Sequence, residues 1–419
     1  MATEIVRRPP FGSNPLVGER GSDTQRRILD ASLEVFAEVG FAEARVELIT
    51  ERAGCSRPAF YQYFSSKDDV FWSLAGLLGN EMVALAKQLG TVTADAAGLA
   101  HLTSWVGEFM ALHEAWAPVF ASFQAASRGH EADASRSSGV RDRTGEAILK
   151  AFGAPADALN STIVSGMVAV LIRCSFYAEQ TPVGTSRQPL VEGIAGLVHR
   201  LFAGPLDGVN VVHGSVRRRR LSIPVVEPAA EDRPLRPRGE QTRQRLLEAG
   251  AKVLPARGYH DARVDDVVEV AGVSHGTFYR YFSNMDDLFR VLAEAASTRM
   301  IDLIDRFDPA APEADLRAWL ADWFRAYATD GGVISTWQEM MTNEELATFS
   351  TQVAASVYTR LLKILERRDF GDPMVDAVAL LALIERVPYS VYTLGFTAED
   401  DALEAMVTMI RRGFLALPA

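Results

Sequence analysis

The sequence predicts an all-α protein that contains two copies of one helical module. The segment AGCSRPAFYQYFSSKDD at residues 53–69 returns as AGVSHGTFYRYFSNMDD at residues 271–287, with mostly apolar letters kept and mostly polar letters changed. Apolar residues elsewhere recur at the spacing of amphipathic helices. The chain shows no alternation of strand and helix patterns, which would predict a parallel sheet. These three observations together predict the fold class.

Composition places the chain among soluble globular proteins. With 419 residues it is too long for one ordinary core, and its 48% hydrophobic and 23% charged residues are typical of folded domains. The apolar run at 163–172 ends at Arg173, short of the roughly 18 residues of a membrane span. The N-terminus carries no apolar signal segment. We therefore expect a cytoplasmic protein without a membrane partner.

The cysteines, the histidines and the net charge limit the chemistry further. Cys55 and Cys174 are too few for a disulfide framework or a four-thiolate zinc site. The seven histidines show no metal-ligand spacing, and no phosphate-binding glycine loop is present, so we expect no cofactor and no metal. A net charge of −11 argues against a general nucleic-acid coat, although a specific reader needs only a local basic edge.

The duplication runs without a gap through the whole first part of each copy. Placing Thr24 on Thr242 keeps the copies in register to Phe71 and Phe289, with about twenty identities in about fifty positions, which indicates common descent. Weaker correspondences follow: Trp105 with Trp323, Phe109 with Tyr327, and LIRCSFY with LIERVPY. The downstream parts of the two copies are therefore related as well.

The expected domain division follows from the repeat and from a linker between the copies. Residues 203–238 are rich in Gly, Pro, Val and charge, which is typical of a linker. The expected segments are a flexible basic arm (1–22), a first helix-turn-helix domain (23–75), a first helical sensor and dimerisation domain (76–204), the linker with a basic run (205–238), a second helix-turn-helix domain (239–290) and a second helical sensor and dimerisation domain (291–419).

Each copy opens with an amphipathic helix. Apolar residues at helical spacing run from Thr24 to Glu38, and Gly40 closes the pattern. The second copy repeats the pattern up to Gly258, although Pro255 predicts a distorted last turn. The next segment of the second copy, VDDVVEVAGV, is rich in valine, but its counterpart VELITERAGC predicts that this slot is helical.

A helix-turn-helix follows in both copies. Ser56 and Ser274 each follow a glycine-containing turn and precede a short helix, where a side-chain oxygen caps free N–H groups. Pro58 fits an early helical position. Two phenylalanines of each short helix share one side and are expected to face inward: Phe60 and Phe64, and Phe278 and Phe282. The residues opposite them are expected to face outward.

The pattern T-x-x-x-I-L-x-A…G-F, followed by A-G-x-S-x-x-x-F-Y-x-Y-F, resembles the N-terminal DNA-binding region of the tetracycline-repressor (TetR) family, in two copies. The resemblance implies that the short helix enters the major groove, and that the tyrosines and the lysine opening the next helix touch phosphates. The DNA-binding residues that it implies are Arg45, Ser56, Arg57, Ala59, Tyr61, Gln62, Tyr63 and Lys67 in the first copy, and Arg263, Ser274, His275, Thr277, Tyr279, Arg280 and Tyr281 in the second.

Both copies depart from the family pattern. Arg45 and Arg263 stand where the family usually has a threonine that opens the second helix, which loses a cap but adds a cation near the expected DNA backbone. Met285 replaces the phosphate-contacting lysine in the second copy, and Pro58-Ala59 replaces Gly-Thr in the first. A ligand- or protein-binding helical module in which one or both heads have lost DNA binding is therefore the alternative function.

Basic residues precede each helix-turn-helix. They are Arg7, Arg8 and Arg20 before the first, and Arg217 to Arg220, Arg233, Arg236 and Arg238 before the second. Because the heads themselves are close to neutral, these arms are candidates for phosphate or minor-groove contacts. An exposed, solubilising linker explains the same charges equally well.

Members of the TetR family act as homodimers, so two copies in one chain imply an intramolecular pseudo-dimer, or a homodimer of it, on a double-stranded DNA operator. The expected interface is a four-helix bundle formed by residues 161–179, 189–202, 374–394 and 400–415. Gln62 favours adenine and Arg280 favours guanine. We therefore expect a transcriptional regulator, a ligand-responsive repressor, that reads an imperfect palindrome with two unlike heads.

The resemblance also implies a small hydrophobic effector bound in the downstream regions. The aromatic residues that could line its pocket are Trp105, Phe109, His113, Trp116 and Phe120 in the first copy, and Trp319, Trp323, Tyr327 and Trp337 in the second. Ordinary core packing explains the same spacing. Arg173 and Arg386 lie among apolar residues at matching places, which favours buried ion pairs over anchors for an acidic ligand.

A catalytic interpretation is weak. Residues 272–276 spell G-x-S-x-G, the nucleophile elbow of α/β-hydrolases. No strand and helix alternation surrounds this segment, and the first copy has Gly-Cys-Ser-Arg-Pro at the equivalent place. We therefore expect that the protein is not an enzyme.

Overall fold

All regular secondary structure in the described part of the chain is helical. The computed structural model describes residues 19–127, 131–180, 187–206, 236–309, 311–335, 344–366 and 371–417, and no strand occurs within these ranges. The predicted all-α class is confirmed.

The first repeat, called module 1 below, contributes helices α1 to α9. These are α1 (Glu19–Glu43), α2 (Val46–Arg52), α3 (Arg57–Tyr63), α4 (Lys67–Gln88), α5 (Ala96–Ala115), α6 (Ala117–Ser127), α7 (Glu131–Phe152), α8 (Ala158–Gln180) and α9 (Arg187–Ala203). Gly40 has a non-helical backbone inside α1, so the regular part of that helix ends where the sequence predicts.

The second repeat, module 2, contributes helices α10 to α17. These are α10 (Pro237–Arg257), α11 (Val264–Ala271), α12 (His275–Phe278), α13 (Met285–Asp305), α14 (Glu313–Ser335), α15 (Glu344–Leu365), α16 (Pro373–Tyr392) and α17 (Glu399–Thr408), which continues as a π-helical turn over Met409–Phe414. The valine-rich α11 is helical, as its counterpart in module 1 predicts.

Two helices begin inside segments that the sequence predicts to be irregular. α1 begins at Glu19, within the expected arm, and α10 begins at Pro237, within the expected linker. Proline suits the first turn because its missing N–H would have no partner there. α10 also continues through Pro255 to Arg257, since the ring lies so near the C-terminus that it removes a bond without ending the helix.

The described chain forms two compact units whose boundaries do not follow the repeat. One unit runs to Leu85 and resumes over Leu112–Thr144, and the other comprises Ala86–Ala111 and everything from Gly145 onward. The first unit thus holds the helix-turn-helix of module 1. The second unit holds α8, α9 and all of module 2.

The first unit is built around the inner face of α1. Ile28 and Phe36 of this helix are buried together with Phe60 and Phe71, and Val119 of α6 closes the same core. This packing fixes the three helices of the first helix-turn-helix domain on one apolar centre.

The second unit contains the predicted four-helix bundle. α8 and α9 of module 1 pack against α16 and α17 of module 2, with Leu171, Ile194, Leu383 and Met406 fully or almost fully buried. By length and composition α8 could also cross a membrane, but half of its apolar stretch is buried inside the protein, as in the core helix of a bundle.

Candidate nucleic-acid interface

The turn of each helix-turn-helix has the same backbone. Gly54 and Gly272 are both left-handed, with φ of +61°, a conformation that costs other residues roughly 1–2 kcal/mol. Two residues later, Ser56 Oγ and Ser274 Oγ each accept a hydrogen bond, at 3.3 Å, from the backbone N–H three positions further on. The predicted N-caps of both short helices are therefore confirmed.

Two phenylalanine rings anchor each short helix to its domain. Phe60 and Phe64 of α3 are buried, and so are Phe278 and Phe282 at the corresponding places of module 2. Their ring centroids lie 5.9 Å apart in module 1 and 5.7 Å apart in module 2. The inward side predicted from the sequence is confirmed in both copies.

In module 1 the opposite side of α3 is open to solvent. Arg57 and Gln62 are exposed, Tyr61 is 50% exposed, and Ala59 and Tyr63 are partly buried. The side chain predicted to read a base, Gln62, therefore lies on the surface of the domain.

Module 2 presents the corresponding surface. His275 and Arg280 are exposed, Tyr279 is 58% exposed, and Thr277 and Tyr281 are partly buried. Arg280 makes no ion pair with any residue that the structure describes. Its guanidinium can therefore donate to a planar partner.

The two short helices differ in length, which the sequence analysis does not anticipate. α3 spans Arg57–Tyr63, whereas α12 ends at Phe278 and continues as a tighter turn, in which the N–H of Arg280 donates to the carbonyl of Thr277 at 3.3 Å. Gly276 in the first turn of α12 disfavours a helix by about 1 kcal/mol, while Pro58 stabilises the first turn of α3. Arg280 thus projects from a turn and Gln62 from a helix.

An acidic residue of the preceding helix pairs with the first residue of each short helix. Arg57 Nη1 lies 2.7 Å from Glu47 Oε1, and His275 Nε2 lies 2.9 Å from Asp265 Oδ1. All four side chains are more than half exposed, so these pairs are weak and exchangeable. Sequence analysis misses both acids, although they occupy aligned positions of the two copies.

Lys67, which opens α4, is tied to the C-terminal end of α1. Its ammonium donates to the carbonyl oxygens of Phe41, Ala42 and Ala44 at 2.8, 2.9 and 3.1 Å, and lies 4.7 Å from the centroid of the Phe41 ring. Lysine near a helix C-terminus stabilises the last carbonyls in this way. Phosphate contact by Lys67 stays a prediction that must compete with these bonds.

In module 2, different side chains stand at the positions of Lys67 and Phe41. Met285, aligned with Lys67, packs against the apolar core of its domain. Tyr259, aligned with Phe41, donates its hydroxyl to Asp286 Oδ1 at 2.7 Å. A hydrogen bond between side chains thus replaces the lysine cap.

Each domain also has its own brace between the first two helices. In module 1, Arg52 donates to Glu34 at 2.9 Å and to Glu38 at 2.6 Å, and this bond from Arg52 holds the pKa of Glu38 below its ordinary value. In module 2, Arg245 donates to the carbonyl oxygen of Gly272 at 3.1 Å. This bond therefore ties the turn of module 2 to α10.

The remaining predicted cations occupy helix starts or fall outside the described residues. Arg45 and Arg263 precede α2 and α11, are exposed, and do not cap these helices with their side chains. The cap in module 2 is Asp266, which accepts from the Arg263 N–H at 3.0 Å. Arg20 lies in α1, and Arg236 and Arg238 lie at the start of α10. Arg7, Arg8, Arg217 to Arg220 and Arg233 lie outside the described residues.

The aromatic residues predicted to hold an effector in module 1 fall into two compact units. In the second unit, Trp105 and Phe109 are buried, with ring centroids 5.8 Å apart. In the first unit, the buried His113 stacks on Phe120 at 4.6 Å, and Trp116 donates its indole N–H to a glutamate at 3.0 Å. Each group forms part of a packed core.

In module 2 two of the corresponding residues, Trp319 and Trp323, stack on each other. Trp319 lies 5.6 Å from Trp323 and donates to the carbonyl of Leu303 at 2.8 Å, and Trp323 donates to the carbonyl of Ile384 at 2.7 Å. Tyr327 is buried, and burial, the largest cause, raises its pKa. Trp337 lies outside the described residues.

Arg173, in the four-helix bundle, forms the ion pair that its surroundings predict. Its Nε donates to Glu385 Oε2 at 2.9 Å and its Nη2 to Glu385 Oε1 at 2.5 Å, while Tyr177 donates its hydroxyl to Oε2 at 2.8 Å. Arg386 instead lies 4.2 Å over the ring of Tyr389 and has no carboxylate partner among the described residues. The ion pair expected for Arg386 is therefore not found within the described part of the chain.

The G-x-S-x-G segment belongs to the turn of module 2. Ser274 Oγ caps α12 and also lies 3.0 Å from Thr277 Oγ1. Helix α11 precedes the serine, whereas a nucleophile elbow requires a strand there. The local structure explains this motif as a helix cap.

Comparison with known proteins agrees with this geometry. The family model of bacterial regulatory proteins of the tetR family matches residues 28–74 and 246–292. Among similar proteins are two uncharacterized HTH-type transcriptional regulators of Bacillus subtilis. YdgC is 34% identical over 71 residues, covering 17% of this chain and 36% of YdgC, and YvdT is 36% identical over 61 residues, covering 15% and 31%. The transcriptional regulator AcuR of Cereibacter sphaeroides is 37% identical over 75 residues, covering 17% and 34%.

The chain spans about a third of the length of these relatives. The two family matches fall on the two helix-turn-helix domains, one in each module. The chain therefore carries two helix-turn-helix domains of the tetR family of bacterial regulatory proteins in tandem, one in each module.

Proposed function

We propose that the protein is a sequence-specific DNA-binding transcriptional regulator of the cytoplasm, and that it acts as a ligand-responsive repressor through two unlike heads. The observation that carries this proposal is the division of each short helix into a buried phenylalanine side and an exposed polar side, repeated in both modules.

Gln62 and Arg280 are the proposed base-reading residues. Both are exposed at the same place of the two copies. Glutamine pairs with adenine through N6 and N7, and arginine with guanine through O6 and N7, each with about 1–3 kcal/mol of discrimination. The operator of this proposal is an imperfect palindrome whose half-sites differ where these residues read.

The exposed tyrosines and arginines supply the proposed contacts to the DNA backbone. Tyr61 and Tyr279 carry their hydroxyls on the surface beside the reading positions, and Arg45 and Arg263 stand exposed at the preceding helix starts. Backbone contacts position a protein on DNA without carrying sequence information. Substituting them weakens binding to all sequences alike.

Binding-site selection from a random DNA library with the full chain tests the proposal. We expect two half-sites with different sequences. Arg280→Ala should relax the sequence of one half-site and Gln62→Ala that of the other, whereas Lys363→Ala, which removes an exposed cation of α15, should change neither. Selection of a perfectly symmetric site would contradict the two unlike readers.

The second candidate function is a ligand- or protein-binding module without DNA binding. It is favoured by the acidic partners of Arg57 and His275 and by the engagement of Lys67 with carbonyl groups. Gel shifts with DNA from upstream of the protein's own gene, at two salt concentrations, separate the candidates. Specific binding with a steep salt slope supports the regulator, and no shift at low salt supports the binding module.

The proposed effector is a small hydrophobic molecule held among the aromatic residues of the downstream helices. Trp105 and Trp323 occupy corresponding buried places, and both would report a nearby ligand through their fluorescence. A screen of apolar compounds against charged compounds of equal size, with release of operator DNA as the second measurement, tests this part. Binding of charged compounds alone would contradict it.

A further inference from the structure

The four-helix bundle brings together residues that correspond to one another in the two modules. LIRCSFY at 171–177 aligns without a gap with LIERVPY at 383–389, so Arg173 of α8 corresponds to Glu385 of α16, and Arg386 lies one position beyond the match to Arg173. The same register aligns Glu192 of α9 with Glu404 of α17, and Phe202 with Phe414. α8 and α9 are therefore the counterparts of α16 and the α17 segment.

Arg173 contacts its own counterpart. The bidentate contact to Glu385, at 2.9 and 2.5 Å, joins two equivalent positions of the repeat. In a two-fold interface, a residue on one side contacts its own equivalent only where the symmetry axis passes. The ion pair thus marks the pseudo-two-fold axis of the bundle.

The ion pair is sheltered from solvent. The side chain of Arg173 is 11% exposed and that of Glu385 is 21% exposed. Burial, the largest cause, raises the pKa of Tyr177, so this phenol stays protonated and keeps donating to Glu385. Charges held in this way strongly discriminate between an opposite and a like charge.

Pairing of like modules would place like charges on this axis. Two copies of module 1 would bring Arg173 against Arg173, and two copies of module 2 would bring Glu385 against Glu385. Neither arrangement reproduces the bidentate contact between Arg173 and Glu385, and like charges in an interface reject the wrong partner.

Packing around the axis distinguishes the modules as well. A Cβ on Gly193 would lie 2.6 Å from Val375, and a Cβ on Gly166 would lie 3.2 Å from Met409 and 3.3 Å from Val387. Module 2 has larger residues at the corresponding places, Ala405 for Gly193 and Val378 for Gly166. Two copies of module 2 would therefore also collide.

We propose that the Arg173–Glu385 pair is a pairing selector, which makes the α8–α9 surface of module 1 accept the α16–α17 surface of module 2 and reject a second copy of itself. The selector keeps the two modules of one chain together, and the protein is a monomer with internal pseudo-symmetry. This inference concerns assembly alone, so it stands or falls independently of DNA binding.

Charge reversal in the full chain tests the selector. Arg173→Glu and Glu385→Arg should each lower the melting temperature by about 5 °C or more, because each leaves two like charges on the axis. The double reversal should recover at least half of that loss, since equivalent positions let the exchanged pair meet again. The exposed pair Arg360–Asp305, with 36% and 54% exposure, is the control, and its reversal should change the melting temperature little.

Mixing the two single variants gives a result that a merely structural ion pair would not. The Arg173→Glu chain offers only glutamates on the axis and the Glu385→Arg chain only arginines. Refolded together, they should form a one-to-one assembly of twice the 45.8 kDa chain mass, which neither variant nor the unchanged chain forms alone. The masses are measured by sedimentation.

Three results would overturn the proposal. The first is a double reversal whose melting temperature is no higher than that of the less stable single variant. The second is a refolded mixture that contains only monomers, and the third is dimers formed by the unchanged chain. If a reversed variant does not fold, Arg173→Gln and Glu385→Gln replace the reversals in the stability cycle. The proposal then requires that the double variant lose less stability than the two single variants lose together.

Discussion

Replacing Lys67 by methionine, the residue at the corresponding position of module 2, should destabilise the first helix-turn-helix domain before it affects DNA binding. The ammonium of Lys67 donates to three carbonyl groups at the end of α1. Methionine has no donor, and the packing that accommodates Met285 in module 2 accompanies a tyrosine hydroxyl bond that module 1, with Phe41, cannot form. The carbonyls of Phe41 and Ala44 then lose their partner in a partly buried place.

The magnitude follows from these contacts. A hydrogen bond to a charged group contributes about 1.5–3 kcal/mol. The three bonds of Lys67 share one ammonium, and at least one of the carbonyls, that of Ala42, belongs to an exposed residue that water can reach. We therefore take a single contribution, about 2 kcal/mol, which lowers the melting temperature of a domain of about 100 residues by about 8 °C.

Circular dichroism melting and DNA titration at several salt concentrations distinguish this cap from a phosphate contact. Lys67→Met should lower the melting temperature while the salt slope of the remaining folded protein stays unchanged. Lys87→Met, which removes an exposed cation from the same helix, is the control. An unchanged melting temperature together with a salt slope smaller by about 0.9 would refute the reasoning, because this is the signature of one lost phosphate contact.

Three further predictions rest on local geometry. Gly54→Ala and Gly272→Ala should each destabilise their domain by roughly 1–2 kcal/mol, measured by urea unfolding, because both residues have φ of +61°; equal stability would show that the turn relaxes. Burial raises the pKa of Tyr177, Tyr327 and Tyr358 in the folded state. The stability that these protonated phenols contribute to the folded protein is therefore complete below the unfolded pKa of about 10 and is lost as the pH rises above it. Tyr61 and Tyr279 are exposed, so only the share of the tyrosinate absorbance that belongs to the three buried tyrosines should appear together with the loss of helix in an alkaline titration. Complete tyrosinate absorbance before that loss would contradict the burial. Burial raises the pKa of both thiols, but Cys174 is fully buried and Cys55 only partly, so mass spectrometry should find a thiol reagent on Cys55 first, and equal rates would count against a closed bundle.

The sequence predicts most of what depends on neighbours in the chain. Gly54, Ser56 and Phe60 lie within seven positions of one another, and their residue types alone indicate a turn, a cap and an inward ring. The repeat strengthens each inference because Gly272, Ser274 and Phe278 have the same geometry, down to the φ of the glycine. Local rules are reliable here because the interactions involved are local.

The parts that the sequence does not predict depend on distant partners or on small differences in helix stability. The carbonyls that Lys67 contacts lie 23 to 26 positions away, and the oxygen that Arg173 contacts lies 212 positions away. The early end of α12 fits the cost of about 1 kcal/mol that Gly276 adds to a helix, a difference too small to read from residue types. Residue types show that Arg173 needs a counter-charge, but they do not show which residue supplies that charge.

In a chain with two tandem modules, a substitution can occur in one module alone, whereas in a homodimer every substitution occurs in both subunits. In a homodimer, a new residue at the axis meets itself, and a new reading residue appears in both half-sites. Here position 173 can hold an arginine because position 385 holds a glutamate, and the two proposed readers, Gln62 and Arg280, can differ because they belong to one molecule. The two differences support each other. If unlike heads are to meet one imperfect palindrome, pairing must join unlike modules, and a charge pair on the axis is the smallest change that enforces it.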